Sequence, residues 1–349
     1  MNILKKVIIF FIPFIMLFTS MNKMPNIICL QTASVRKITN VGVMFFNIND
    51  PYMSLVKQSL NNIQNEHEDT IKFTFFDGQD NQAVQDAILS SIFNKNFDLL
   101  LIDMVNSNET LVSDVVNKAQ KNNTPLILFS FELSNIPQIV KSYKRVVFIA
   151  TDSRKSGIIQ GKIIVDKWLA NKDILDRNRD DKIQYIMLKG NPDSKATNYR
   201  SNYSISTISD SGIATEELAS RVCNWDKELA KLTMNSLLLN LSNKVEVIIS
   251  NNDAMAIGAI EALQKYGYNK GGKTKNIPVF GVDGIPEARE LVNKGIMAST
   301  VIQDPNELAQ ALYTVGINLV LNRNPIENTK YQFDKTGIAI EMPYYEYKQ

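Results

Sequence analysis

Short apolar runs alternate with longer segments whose apolar positions recur every three or four residues along most of the chain. The first pattern is that of buried strands and the second that of amphipathic helices. In the first half the pattern predicts strands over Ile38 to Phe46, Ile71 to Phe76, Phe97 to Asp103, Pro125 to Ser130 and Arg145 to Ala150. Helices are expected from Pro51 to about Glu66, from Asn81 to Phe93 and from about Glu109 to Lys121. Pro51 suits a first helical turn, where its missing N–H is not needed. The second half repeats the rhythm. A helix from Ser153 to Ala170, with Gly157 and Gly161 as points of close packing, leads to a strand over Ile183 to Leu188. Next come a helix from about Ala196 to Ser211, a short strand over Thr215 to Val222, and a helix that Trp225 opens and that ends near Leu241. Further strands are expected at Val245 to Ile249, Ile277 to Val282 and Ala298 to Ile302, each followed by a helix, the last over Pro305 to Leu321. Ile338 to Tyr345 alternates like one final strand, and Lys270-Gly271-Gly272-Lys273 reads as a surface loop. Such a βαβα rhythm builds parallel sheets covered by helices on both faces. The fold class is therefore α/β, with two doubly wound parallel-sheet lobes, no flexible linker and a ligand cleft between them.

Around Val245 to Leu263 the rest is organised: a β-branched strand, the polar corner Ser250-Asn251-Asn252-Asp253, then a helix. Open α/β sheets bind ligands beyond the carboxyl ends of their strands, which makes Asn252 a candidate binding group. The competing reading is that the corner residues only cap the helix.

The 349 residues carry a net charge of +2, so the total implies no nucleic-acid or membrane field. One histidine, His67, on an expected surface helix, and two cysteines, Cys29 and Cys223, argue against His-based triads, zinc sites and a disulfide framework. Lys5 and Lys6 precede an apolar run from Val7 to Phe18, short for a membrane span and suited to an export signal cleaved before Lys37; an uncleaved anchor is the alternative. Cys29 lacks the small preceding residue that a lipidated cysteine would have.

Two constellations carry chemistry. Asp176, Asn178, Asp180 and Gln184 put oxygen side chains at positions 1, 3, 5 and 9 of a loop, with the Lys182 carbonyl at position 7. That is the spacing of an EF-hand-like calcium loop, although position 6 is Asp181 rather than glycine and position 12 is Met187 rather than glutamate. A polar turn is the competing reading. The second set stands at strand ends: Asp50 with Tyr52, Ser130, Trp225, Asn252, Asp283 and Gln303. Carboxylates and amides bond hydroxyls at fixed angles, and flat rings pack on the apolar faces of a pyranose, so the set suits a neutral polyol.

Several stretches are similar to the galactose/glucose-binding proteins that serve bacterial ABC importers: Val41-Gly42-Val43 through Met53-Ser54, Thr151-Asp152-Ser153 through Gly161, the Asp176 loop with Lys189-Gly190, Asn251 through Ala256, and Pro278 through Asp283. The resemblance spans roughly Ile38 to Tyr345 and implies the type I periplasmic-binding-protein fold with three crossovers, near Thr151, Gln303 and Glu341. With the leader read over 1–36, the resemblance implies one lobe from 37–151 plus 303–341 and a second from 152–302 plus 342–349. It further implies that Tyr52 and Trp225 sandwich a sugar hydrogen-bonded by Asp50, Arg200, Asn252 and Asp283, and that Glu246 completes a structural calcium site. The chain departs from the family pattern at Ser130, Ser194, Ala196 and Gln303, which loosens any assignment to galactose, glucose or a methyl-galactoside. The resemblance thus implies an exported, monomeric monosaccharide-binding protein, periplasmic or attached to the outer face of the cell membrane, that serves a permease and its ATPase. The alternative is a sensor presenting sugar to a kinase or chemoreceptor. A DNA-binding repressor is disfavoured because a leader stands where its headpiece would be, and an enzyme because no nucleophile–base pair is evident.

Overall fold

Val41, Val43 and Phe45 of β1 (Thr39–Phe45) are buried on one face, and Met44 is buried on the other. A strand covered on both faces reads as a continuous apolar run, and its period of two assigns alternate residues to two cores. The same division recurs in β3 (Leu99–Asp103) and β4 (Leu126–Glu132): Leu99, Leu101, Ile127 and Phe129 join the first core, Leu100, Ile102, Leu126 and Leu128 the second. The computed structural model describes residues 37–135, 143–271 and 275–348. The expected leader, with Cys29, and the Gly272-Lys273 part of the expected loop lie outside the described residues.

The first sheet has the order β11-β5-β4-β3-β1-β2, wholly parallel, where β2 is Ile71–Asp77, β5 Val146–Thr151 and β11 Ala339–Met342. Its helices are α1 (Pro51–Glu66), α2 (Gln82–Ile92) and α3 (Glu109–Lys121). The second lobe contains α4 (Ser153–Leu175), β6 (Lys182–Lys189), α5 (Lys195–Asp210), β7 (Ala214–Val222), α6 (Lys227–Leu241), β8 (Val247–Ser250), α7 (Asp253–Lys265), β9 (Val279–Asp283), α8 (Pro286–Asn293) and β10 (Ser299–Ile302). Its sheet runs β12-β10-β9-β8-β6-β7, with β12 (Tyr345–Glu346) antiparallel to β10. The chain passes between lobes after Thr151, after Ile302 into α9 (Pro305–Val320), which packs with α1 on the first sheet, and between Met342 and Tyr345. No helix among the described residues is long and apolar enough to cross a membrane.

Three expectations are corrected. Trp225 does not open the sixth helix; Asp226 caps it by accepting the Leu229 N–H at 2.6 Å, and Trp225 stands in the preceding corner at φ +65°. The tail is not one strand: Pro343, which cannot donate to a ladder, falls between β11 in one sheet and β12 in the other. The helix beginning at Ser153 continues to Leu175 through a kink at Asn171.

Candidate functional site

All eight residues proposed to bind sugar (Asp50, Tyr52, Ser130, Arg200, Trp225, Asn252, Asp283 and Gln303) line one cavity of about 170 Å³ between the lobes. That is room for one six-membered ring, since an apolar cavity of about 150 Å³ holds benzene. Ser194 and Ala196, two of the four positions that depart from the family pattern, also line it, as Ser130 and Gln303 do.

Arg200 of α5 is the hub. Its Nη1 donates to the Asn251 carbonyl at 2.7 Å and lies 3.4 Å from Asp283 Oδ1, while Nη2 donates to Gln303 and to the Tyr344 hydroxyl, both at 3.4 Å. The guanidinium lies 5.7 Å from the Trp225 ring centre, within cation–π range. Its Nε is buried and has no hydrogen-bond partner among the described residues. Burial pushes the Asp283 carboxyl well up; Arg200 pulls it down, and the charges of Asp253 and Asp50 raise it further.

Local backbone chemistry sets the other groups. Asp50 caps α1, its Oδ1 accepting the Tyr52 and Met53 amides at 3.0 Å. Ser130 sits where the β4–β5 register shifts, at φ +55°, and its hydroxyl is buried with no partner among the described residues. A bulge of this kind re-aims a side chain. Asn252 does cap α7 through Oδ1, at 3.0 Å from the Met255 amide, but its Nδ2 also donates to the Trp225 carbonyl at 3.1 Å. Capping and site-building are thus the same act at this corner. Gly190 closes the arrangement, since a Cβ there would overlap the Trp225 ring.

Sequence reasoning missed Asp103, Glu132 and Tyr344. Asp103 and Glu132 end β3 and β4 and line the cavity, as Asp283 does at the end of β9. The strand-end signal that pointed to Asp283 was present for Asp103, the last residue of the expected third strand, but not for Glu132, because the bulge at Ser130 carries the fourth strand two residues beyond its expected end. Tyr344 gave none, because its role depends on the chain crossing between lobes beside it.

The second constellation folds as a compact turn. Asp176 accepts the Asp180 and Asp181 amides, each at 3.1 Å; Asn178 accepts the Asp180 amide at 3.2 Å; Asp180 accepts the Lys182 amide at 3.0 Å and Gln184 Nε2 at 2.9 Å. Glu246 precedes β8, beside β6, and reaches this turn: its carboxylate accepts the Arg177 amide at 2.6 Å and the Gln184 amide at 3.2 Å. Burial raises the Glu246 pKa, the two amides lower it, and Asp176 and Asp180 raise it. Gln184 Oε1 is buried and has no partner among the described residues, an oxygen left over beside three carboxylates. Asp181, at the position that favours glycine, has φ +63°. No group of three His, Cys, Asp or Glu among the described residues is arranged to hold a metal ion, so a cation here would need the Asn178 and Gln184 amides and the Lys182 carbonyl as well.

Two sheets joined by three crossovers around a polar cavity define a bilobal binding-protein architecture. The chain belongs to the periplasmic binding protein domain family, which matches residues 41–324. It is 32% identical over 314 residues, 90% of each chain, to the D-galactose/methyl-galactoside binding periplasmic protein of Haemophilus influenzae. It is 22% identical to the ribose import binding protein of Bacillus subtilis, over 84% of this chain and 85% of that one. A solved ABC transporter solute binding protein from Bacillus halodurans, with bound myo-inositol, shares the fold at TM-score 0.70 and 20% identity, covering 89% of this chain and 95% of that one. A structure from Mycobacterium smegmatis in complex with β-D-fucofuranose has TM-score 0.72 and 17% identity, over 89% and 91%.

Proposed function

We propose that the protein is an exported monosaccharide-binding component of an ABC-type importer, closing its lobes on one sugar and handing it to a permease. The observation that carries this reading is the interlobe cavity, in which the eight candidate residues meet. Tyr52 and Trp225 supply flat faces; Arg200, Asp283, Asn252 and Gln303 supply directional partners for hydroxyls. A binding protein rather than an enzyme is what family membership supports. The relatives' names support export and a galactose-like ligand. Ser130, Ser194, Ala196 and Gln303 argue that the hydrogen-bond pattern differs from theirs. An exported sensor that presents sugar to a kinase or chemoreceptor is the alternative; recovery of a permease from membranes, rather than a kinase, would exclude it. Calorimetric titration with galactose, glucose, xylose and ribose tests the reading. Micromolar or tighter binding of one of them is expected, and silence from folded protein toward all would sink it.

Calcium is proposed as a structural ion at the Asp176 turn, held by Asp176, Asn178, Asp180, Gln184, Glu246 and the Lys182 carbonyl. The partnerless Gln184 Oε1 and the convergence of Glu246 on the turn support the fit. A bound cation would neutralise the carboxylates and tie α4 to β6 and β8. At a hundredfold excess over its dissociation constant, calcium would add about 2.7 kcal/mol. Melting several degrees higher in calcium than in chelator is expected for the wild type, and a much smaller difference for Glu246→Gln. Equal melting of the wild type in both would mean that the turn holds no ion.

A further inference from the structure

We propose that the preferred ligand of the cleft is a monosaccharide carrying a protonated amine, held against the first lobe by Asp103 and Asp50. This rests on the sugar-binding reading and narrows it to one chemical class. Six carboxylates line the cavity (Asp50, Asp80, Asp103, Glu132, Asp193 and Asp283) against two cations, Lys195 and Arg200. Asp80, Asp193 and Lys195 are exposed, which leaves Asp50, Asp103, Glu132 and Asp283 against Arg200 as the less accessible charges of the lining. Arg200 is already engaged by Asp283, Gln303, Tyr344 and the Asn251 carbonyl. Glu132 is satisfied by the amide and hydroxyl of Ser153.

Asp103 is different. It is 4% exposed, and the hydrogen bond its carboxylate makes among the described residues is a long one, from the Phe46 amide at 3.5 Å. Burial raises its pKa well above the carboxylate range, the Phe46 amide lowers it, and the charge of Asp50 raises it further. A buried carboxyl without a cation resists ionisation, and a cation placed beside it lifts that resistance. A sugar hydroxyl brings it a dipole; an ammonium brings a full charge and three donors. The ligand must also carry hydroxyls, because the same cavity is lined by the Asn252 and Gln303 amides and by the Tyr52 and Trp225 rings, which suit a polyol and not a bare ammonium. A simple amine would leave those groups unused, whereas an amino sugar meets both demands.

The test is titration of the wild-type protein at neutral pH with galactosamine, glucosamine, N-acetylgalactosamine, galactose and glucose. An amino sugar is expected to bind at least about tenfold more tightly than its parent hexose, and acetylation, which removes the charge, to abolish the advantage. Asp103→Asn is expected to bring the amino-sugar to hexose affinity ratio close to one. Hexose binding with no amine preference in the wild type would overturn this proposal and leave the sugar-binding reading intact. Silence of folded protein toward the whole panel would overturn both. The wild-type ratio decides the question whether or not the variant folds.

Discussion

Trp225 stands at φ +65° after Asn224 at φ +49°, a left-handed pair that non-glycine residues adopt at a cost of order 1–3 kcal/mol each when not otherwise favoured. Three contacts hold it there: the Asn252 amide on its carbonyl, the Arg200 guanidinium near its ring, and the bare backbone of Gly190 beneath the ring. Gly190→Ala should push the ring out of place and weaken sugar binding by about tenfold or more, with a smaller effect on melting temperature. Titration beside a thermal melt checks this; unchanged affinity would mean that Gly190 does not position the ring. A second residue, Asp253, is wholly buried, its two oxygens accepting Thr300 Oγ1 at 2.6 Å and the Ile285 amide at 2.9 Å. Burial, opposed by these hydrogen bonds and by Arg200, pushes its pKa up to about 7. A carboxyl whose folded pKa is raised binds its proton more tightly folded than unfolded. Its contribution is therefore complete below about pH 4 and lost as pH rises through about 7, amounting to a few kcal/mol at most. Asp253→Asn should flatten the fall in unfolding free energy between pH 4 and 7, read from urea titrations at each pH. At this scale the sequence was informative wherever a polar residue ends an apolar strand. Asp283 and Gln303 were found that way, and Asp103 obeys the same rule; Glu132 was hidden by the bulge at Ser130, where the strand was expected to end. Tyr344 escaped because nothing local marks a residue whose partner lies 144 positions away.

Apolar periodicity located most strands and helices because the central strands are buried on both faces and most helices on one; the edge strands β2 and β7 are partly exposed and α7 is buried almost all round. It failed where a single backbone conformation or a missing donor decided the outcome. The apolar Trp225 fits a helical stripe, yet Asp226 is the better cap; Tyr345 continues the alternation of β11, yet Pro343 sends it to the other sheet. Glycine within helices was read correctly as a packing device, and Gly258 of α7 shows its cost most plainly. A Cβ there would run into the main-chain carbonyl of Lys227, at the start of α6. Backbone cannot give way as a flexible side chain can, so α6 would have to lift from α7, opening a core that includes Ala230, Met234, Ala259 and Leu263. Gly258→Ala should destabilise the protein by about 2–3 kcal/mol despite the better helix propensity of alanine. Chemical denaturation would show it, and a gain in stability would mean that the two helices are not in fixed contact.

The two lobes also touch away from the crossovers. Tyr199 of α5 donates its hydroxyl to Ser134 Oγ, in the short 3₁₀ turn after β4, at 3.1 Å. Both residues are solvent-accessible, and Arg154 lies 5.8 Å from the Tyr199 ring centre. Contacts near a crossover, such as Ser153 with Glu132 or Lys155 with Glu341, join segments that the chain already keeps close. Tyr199 with Ser134 joins α5 to the end of the first lobe's β4, and separation of the lobes would have to break it. If ligand is held by the closed form, this bond adds to closure and not to any sugar contact. Tyr199→Phe removes one partly solvated hydrogen bond, worth about 0.5–1 kcal/mol, and leaves the cavity lining untouched. Affinity should fall about two- to fivefold, and the loss should appear in the dissociation rate, because the encounter with the open cleft is unchanged. Small-angle scattering of the same variant with saturating sugar should give the wild-type radius of gyration, because bound sugar still holds the lobes together. A slower association rate with unchanged dissociation would mean instead that Tyr199 acts on the entering ligand rather than on the closed lobes.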